Sequence, residues 1–259
     1  MTLGLLDLTG KRALITGGGT GLGRQMTHAL AEAGAEVVIC GRRSAPLERC
    51  VEEARGFGGQ ATSIVADVTT EAGVTALREQ AGQVDILVNN AGGGEVKPWQ
   101  DVTMDDWRRI TAVNLDAPFR LIQVFAPPMM ERGWGRIVNV SSIYGLVGGD
   151  ARRYPDIAWD NAPYFASKHG LQGITHYFGA RLAPYGVCVN SLCPGMFPNT
   201  ENASELDSPG LEAALSDGTP MRRVGVDDDL KAAIVFLASP GAKFVTGQSV
   251  VVDGGWTVW

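Results

Sequence analysis

The sequence predicts a single α/β domain, residues 1–259, built on a doubly wound parallel sheet of the Rossmann type. Short apolar runs rich in Val, Ile and Leu recur along the chain, and segments of helical periodicity separate them. Strands that are buried on both faces of a parallel sheet read as continuously apolar, as these runs do. Because strands and helices alternate, the helices are expected to be crossovers between parallel strands.

The apolar runs predict seven strands, and the segments between them predict helices at 24–33, 46–55, 72–81 and Tyr164–Phe178. No linker or repeat divides the chain. Two stretches rich in Gly, Pro, Asp and Asn interrupt the alternation, and we expect an active-site loop at about 148–163 and a substrate lid at about 194–220. The predicted strands are RALIT (12–16), EVVIC (36–40), TSIVA (62–66), DILVN (85–89), RIVNV (136–140), VCVNSL (187–192) and SVVVD (249–253).

Composition narrows the classes of function. The net charge of -6 disfavours nucleic acid and anionic membrane surfaces as partners, since both need a concentrated basic face. The chain starts without a basic, apolar leader and has no apolar run of membrane-spanning length, so we expect a cytoplasmic protein. The four cysteines form no CxxC pair and the three histidines are scattered, which predicts reduced thiols and no metal site.

A glycine-rich turn joins the first strand to the first helix. Glycines permit a tight turn there and let a pyrophosphate approach backbone N–H groups at the positive end of the helix. The order of strand, loop and helix favours this interpretation over a simple turn, and the loop predicts a bound dinucleotide. The residues expected to contact it are Gly17, Gly19, Thr20, Gly21, Leu22 and Gly23.

The end of the second strand bears on which dinucleotide binds. NAD-selective sites usually place an acidic residue there to hold the ribose hydroxyls. This chain has Arg42 and Arg43 instead, and two guanidiniums can bind a 2′-phosphate. The sequence therefore favours NADP over NAD, although solvated surface arginines are the alternative.

A phenol and an ammonium lie on one face of a predicted helix, at Tyr164 and Lys168. A phenol with a pKa of about 10 is a poor base at neutral pH, but a neighbouring cation favours the phenolate. We therefore expect Lys168 to lower the pKa of Tyr164. Ser141 and Ser142 follow a predicted strand at its carboxyl end, where ligands of open parallel sheets bind, and a serine hydroxyl there can hydrogen-bond a reacting oxygen. A helix or turn cap is the alternative for either serine.

Taken together and in order, these motifs resemble the short-chain dehydrogenase/reductase family over nearly the whole chain. The motifs that resemble the family's cofactor contacts are TGGGTGLG (16–23, of the form TGxxxGxG) for the cofactor loop, Asp67-Val68 for the adenine, Asn89-Asn90-Ala91-Gly92 (NNAG) beneath the cofactor and Pro194-Gly195 beside the nicotinamide. The residues that resemble its catalytic tetrad are Asn114, Ser142, Tyr164 and Lys168, and the last two form the YxxxK motif. Thr246-Gly247 and Asp253-Gly254-Gly255 resemble its C-terminal strand region.

The resemblance implies hydride transfer between NAD(P)(H) and a secondary alcohol or ketone. Tyr164 would exchange a proton with the substrate oxygen, which Ser142 would hold. Lys168 would bind the nicotinamide ribose as well as act on Tyr164, and Asn114 would anchor a proton-relaying water. The resemblance to this family also implies assembly as a homo-oligomer, either a tetramer or a dimer.

The sequence departs from the family pattern in two places, which leaves the substrate open. The loop between Ser142 and Tyr164 is longer than usual, and Thr200 lies one position later than the family threonine near the nicotinamide amide. A small polar substrate such as a polyol or sugar acid is favoured; a 3-oxoacyl thioester reductase and a non-catalytic cofactor-binding regulator are the alternatives. The loop residues that could contact substrate are Arg152, Arg153, Tyr154 and Trp159.

Overall fold

The computed structural model describes residues 2–149, 160–198 and 209–259. The substrate contacts expected at Arg152, Arg153, Tyr154 and Trp159 lie outside the described residues, as does Thr200. The active-site loop is therefore described at its two ends, and the lid at its start and in its second half.

The described strands form one parallel sheet of seven strands, in the order β3-β2-β1-β4-β5-β6-β7. This confirms the predicted fold class. The predicted and observed strand ends differ by two residues at most. The strands are β1 (Arg12–Thr16), β2 (Glu36–Gly41), β3 (Gln60–Val65), β4 (Ile86–Asn89), β5 (Gly135–Val140), β6 (Val187–Pro194) and β7 (Ser249–Val252).

Eight α-helices accompany the sheet in the described residues, and none of them has the length and apolarity to cross a bilayer. The stretch 194–220, expected as an irregular lid, contains a helix because LEAAL within it consists of strong helix formers. The helices are α1 (Gly21–Glu32), α2 (Ser44–Gly56), α3 (Glu71–Gln80), α4 (Met104–Thr111), α5 (Ala117–Glu131), α6 (Ala162–Leu182), α7 (Pro209–Asp217) and α8 (Lys231–Ala238).

Alternate strand residues supply two separate cores. In β1, for example, Ala13 and Ile15 pack toward α1, α2 and α8, whereas Leu14 packs toward α3, α5 and α6. Successive side chains of a strand point to opposite faces, so a strand covered on both sides must be apolar throughout. This double coverage explains the uninterrupted apolar runs in the sequence.

The strand order reverses between β1 and β4, and both strands point their carboxyl ends to the same edge. In open parallel sheets this switch point opens a crevice where ligands bind. The glycine loop follows β1 and the NNAG segment follows β4. The fold therefore places the two motifs side by side.

The first turn of α1 packs against the glycine loop with no room for a side chain. A Cβ atom at Gly23 would lie 2.0 Å from the carbonyl oxygen of Gly17 and 2.6 Å from Nδ2 of Asn90. Gly17 itself has a φ of +64°, in the left-handed region that favours glycine. The spacing of these glycines is thus required by backbone contact.

We predict that Gly23→Ala lowers the free energy of unfolding by about 2 kcal/mol or more, because the added methyl group meets backbone atoms that cannot move independently. Gly56→Ala is the matched control, since a Cβ at this helical glycine meets nothing within 4 Å. Urea unfolding measures both. Equal stability of the two variants would contradict the packing described.

Candidate active site

A cavity of about 500 Å³ opens at the carboxyl edge of the sheet, beside the glycine loop. Its walls come from the segments that follow β1, β2, β3 and β4, so four separate turns of the chain converge on it. Of the residues predicted to contact a dinucleotide, the cavity is lined by Gly17, Gly19, Thr20, Arg42, Arg43, Asp67, Val68, Ala91 and Gly92. The others, Gly21, Leu22, Gly23, Asn90, Tyr164, Lys168, Pro194 and Gly195, are not among its lining residues.

One wall of this cavity comes from α4 and was not predicted from the sequence. Arg109 and Ile110 of α4, with Ala112 and Val113 just after it, line the same cavity. No family motif marks them. A capping box in which Thr103 and Asp106 bond each other's backbone N–H starts α4, and that sequence signal could have placed a helix here.

Asn90 supports the cavity from behind instead of facing into it. Its Nδ2 donates to the carbonyl oxygens of Thr16, at 2.8 Å, and Gly17, at 3.2 Å. The hydroxyl of Thr16 in turn accepts from the backbone N–H groups of Asn90 and Ala91, at 3.0 and 2.9 Å. These four bonds join the glycine loop to the segment after β4.

Charged side chains line the cavity beyond the glycine loop. Arg42 and Arg43 are exposed there, and Arg42 lies close enough to Asp67 to act on its carboxylate. Hydrogen bonds from the Thr69 hydroxyl and backbone N–H lower the pKa of Asp67, and the charge of Arg42 adds to this effect. The carboxylate is thus ionised at neutral pH beside two guanidiniums.

Asn114 lies in a π-helical turn, Ala112–Asp116, between α4 and α5. Such turns break the regular helix and are frequent at functional sites. The side chain is 1% exposed, and its Nδ2 donates to the Gly93 carbonyl oxygen at 2.9 Å and to the Ser167 hydroxyl at 3.0 Å. Its Oδ1 accepts from the Gly93 N–H at 3.0 Å. Asn114 therefore joins the segment after β4 to α6.

Tyr164 and Lys168 lie on α6, which begins where the Asn161 side chain accepts from the Tyr164 N–H at 3.3 Å. Ser142 follows β5 and meets this face of α6, close enough for its hydroxyl to lower the pKa of the Tyr164 phenol. The structure thus brings together three of the four predicted tetrad residues, and Asn114 reaches them through Ser167, whose hydroxyl donates to the Tyr164 carbonyl oxygen at 2.8 Å.

Burial sets the protonation of this pair. It raises the pKa of Tyr164, against the opposing effect of the nearby Ser142 hydroxyl. Burial also lowers the pKa of Lys168 to about 8. The Nζ atom of Lys168 donates to the Val140 carbonyl oxygen at 2.8 Å and lies 5.5 Å from the centre of the Tyr164 ring. The pKa of Tyr164 is thus raised in this arrangement because loss of hydration dominates. The effect of the Lys168 charge on Tyr164 stays a prediction.

The end of the long loop is anchored beside Tyr164. The Asp160 carboxylate accepts from the Trp99 N–H at 2.8 Å, and its carbonyl oxygen accepts from the Lys97 N–H at 2.8 Å. The Asn161 amide lies where a Cβ at Gly94 would meet it, within 2.1 Å. Residues 94–99 and 160–161 are thus joined next to Tyr164.

Comparison with known proteins agrees with this geometry. A family model described as enoyl-(acyl carrier protein) reductase matches residues 17–257. Galactitol 2-dehydrogenase (L-tagatose-forming) of Cereibacter sphaeroides is 36% identical over 255 residues, 97% of each chain. Gluconate 5-dehydrogenase of Gluconobacter oxydans is 35% identical over 258 residues, covering 98% of this chain and 97% of that one.

A solved structure is similar over the full length. The gluconate 5-dehydrogenase of Burkholderia cenocepacia, in complex with NADP and tartrate, is 37% identical and superposes with a TM-score of 0.89 over 100% of both chains. The chain thus resembles the same group of relatives in both its sequence and its fold.

We predict that stability rises with pH through Lys168. Its pKa of about 8 in the folded protein lies below the value of about 10.4 usual in an unfolded chain. Between these values the unfolded chain binds more protons, so the free energy of unfolding increases with pH. Urea unfolding at pH of about 7.5 and 9.5 should show the wild type gaining stability relative to Lys168→Met. Lys243→Met, at an exposed lysine, serves as the control. If the difference in unfolding free energy between the wild type and Lys168→Met is the same at both pH values, the buried ammonium is contradicted.

Proposed function

The chain belongs to the short-chain dehydrogenase/reductase family, and we propose that it is an NADP-preferring dehydrogenase of a polyol or a sugar acid. It is an NAD(P)-dependent oxidoreductase that interconverts a secondary alcohol and a ketone. The observation that carries the proposal is the placement of Tyr164 on α6, with Lys168 Nζ 5.5 Å from its ring centre and Asn114 bonded to it through Ser167.

The residues present fit a nicotinamide dinucleotide. The glycine loop leads into the first turn of α1, which presents backbone N–H groups and the positive end of the helix dipole to a pyrophosphate. Gly17 and Gly19 line the cavity without side chains that would separate the backbone from a phosphate. Bound NADPH supplies the hydride, and bound NADP⁺ accepts it.

Tyr164 acts as the acid in ketone reduction and as the base in alcohol oxidation. Its raised pKa keeps the phenol protonated at neutral pH, which is the form that donates to a carbonyl oxygen. Ser142 holds the same oxygen and stabilises negative charge that develops on it. Lys168, buried within reach of the Tyr164 ring, favours the phenolate once the proton has left and offers a donor to a ribose hydroxyl.

A hydroxylated substrate is supported by the relatives named for galactitol and gluconate. The segments at about 148–163 and 194–220 are proposed as loop and lid of this substrate site.

Reduction of a 3-oxoacyl thioester on an acidic carrier is disfavoured, because the net charge of -6 opposes docking of such a carrier. The arrangement of the tetrad argues against a non-catalytic regulator. Assembly as a homo-oligomer and a cytoplasmic location stay predictions.

We predict that Tyr164→Phe lowers kcat by about 10²–10⁴-fold while the affinity for NADPH changes little, since the phenol supplies the proton. Absorbance of NADPH follows turnover across a panel of ketoses, oxo-acids and 3-oxoacyl thioesters. Turnover of the sugar-derived ketones supports the proposal; faster turnover of thioesters would replace it. Cofactor binding without turnover of any compound would favour the regulator.

We predict that Arg42→Ala weakens the binding of NADP about 10-fold and that of NAD less than about 2-fold, because a charge-assisted bond to the 2′-phosphate is lost. Arg49→Ala is the matched control, as Arg49 is an exposed arginine of α2 that is not among the cavity-lining residues. Fluorescence titration with each dinucleotide gives the dissociation constants. An equal loss for both dinucleotides would refute the NADP preference.

A further inference from the structure

Behind the glycine loop, three side chains of different chemistry converge between α1 and α2. They are His28 of α1 with Cys50 and Glu53 of α2, named here the α1–α2 cluster. The Nε2 atom of His28 lies 3.2 Å from the Glu53 carboxylate and 3.9 Å from Cys50 Sγ. The three atoms all lie within 4.8 Å of one another.

These separations are close to those of a tetrahedral metal site. Zinc bonds of about 2.3 Å to sulfur and about 2.0–2.1 Å to nitrogen or oxygen place neighbouring ligand atoms about 3.3–3.6 Å apart. The pair His28–Glu53, at 3.2 Å, lies just below this range. The pair His28–Cys50, at 3.9 Å, needs a contraction of a few tenths of an ångström.

The cluster offers three donor atoms of the kinds that bind zinc in proteins. They are an imidazole nitrogen of His28, the thiol sulfur of Cys50 and a carboxylate oxygen of Glu53.

We propose that the α1–α2 cluster binds a borderline divalent cation, Zn²⁺ or Co²⁺, through His28 Nε2, Cys50 Sγ and a Glu53 oxygen. Three protein ligands leave a fourth position for water. Cys50 is 1% exposed and Glu53 is exposed, so the cation enters from the carboxylate side. Binding releases the Cys50 thiol proton to solvent.

Arg24 limits the affinity of the site. Its Nε donates to Glu53 Oε2 at 2.7 Å, and its Nη1 lies 3.6 Å from the Asp227 carboxylate. A cation at the cluster competes with the guanidinium for Glu53 and is repelled by it. Removal of this charge should therefore tighten binding, which distinguishes a metal site from a simple chain of ion pairs.

The site is coupled to the glycine loop through Cys50, whose thiol donates to the Gly18 carbonyl oxygen at 3.4 Å. A metal-bound thiolate has no proton to donate, and its negative charge repels that oxygen. The Thr27 hydroxyl, at 3.0 Å, keeps one bond to the same atom. The occupied site should thus disturb the loop that holds the pyrophosphate and raise the KM for NADPH.

The test is a titration of the reduced, chelator-treated full-length protein with Co²⁺, whose thiolate complexes absorb in the near ultraviolet. We expect stoichiometric binding with this charge-transfer band. Cys50→Ser should abolish the band, and His28→Gln and Glu53→Gln should weaken binding about 10-fold or more. Arg24→Gln should tighten it. Cys188→Ser, at another buried thiol, is the matched control and should keep the band.

Two results would overturn the proposal: a band that persists in Cys50→Ser, or Co²⁺ binding unchanged by His28→Gln. Cys50→Ser keeps a hydroxyl donor for Gly18, so its basal activity should match the wild type. Zn²⁺ should raise the KM for NADPH in the wild type and not in Cys50→Ser. An equal effect of Zn²⁺ on both proteins would overturn the coupling to the glycine loop.

Discussion

One hydrogen-bonded connection joins the two halves of the site. Asn90 holds the turn after β1 through the carbonyl oxygen of Thr16, and the backbone a few residues beyond Asn90 is held by Asn114. Asn114 donates to Ser167, whose hydroxyl donates to the carbonyl oxygen of Tyr164. The dinucleotide loop and the acid/base residue are therefore fixed relative to each other by a chain of hydrogen bonds. Reaction between two bound groups depends on such fixed geometry.

The two ends of the site differ in hydration, and this difference divides their tasks. Arg42 and Asp67 lie at the open end, where solvent screens their charges. We assign this end to binding of the dinucleotide. Lys168 is 4% exposed at the other end, and burial brings its pKa to about 8 and raises that of Tyr164. A neutral phenol beside one ammonium costs less to bury than two ions do. The buried end is thus prepared for proton exchange.

Local patterns predicted the strands, the glycine loop and the pairing of Tyr164 with Lys168, because each is visible within a few residues, whereas Asn114 and Ser142 were assigned through the family resemblance. Contacts between distant segments were beyond this reasoning. The raised pKa of Tyr164 depends on burial that no motif encodes. The wall at Arg109 depends on where α4 packs, and the cluster at His28 and Cys50 depends on two helices meeting. The spacing of Cys50 and Glu53 on one helix face was the single local sign of that cluster.

Transfer of hydrogen is the central claim, and an isotope tests it most directly. The wild-type protein would be given NADPH that carries deuterium at the transferred position of nicotinamide C4, together with a sugar-derived ketone, and the alcohol product examined by mass spectrometry. The account predicts that the deuterium appears on the carbinol carbon of the product. An alcohol formed without deuterium, or a bound cofactor that loses no label in the presence of any ketone, would contradict it.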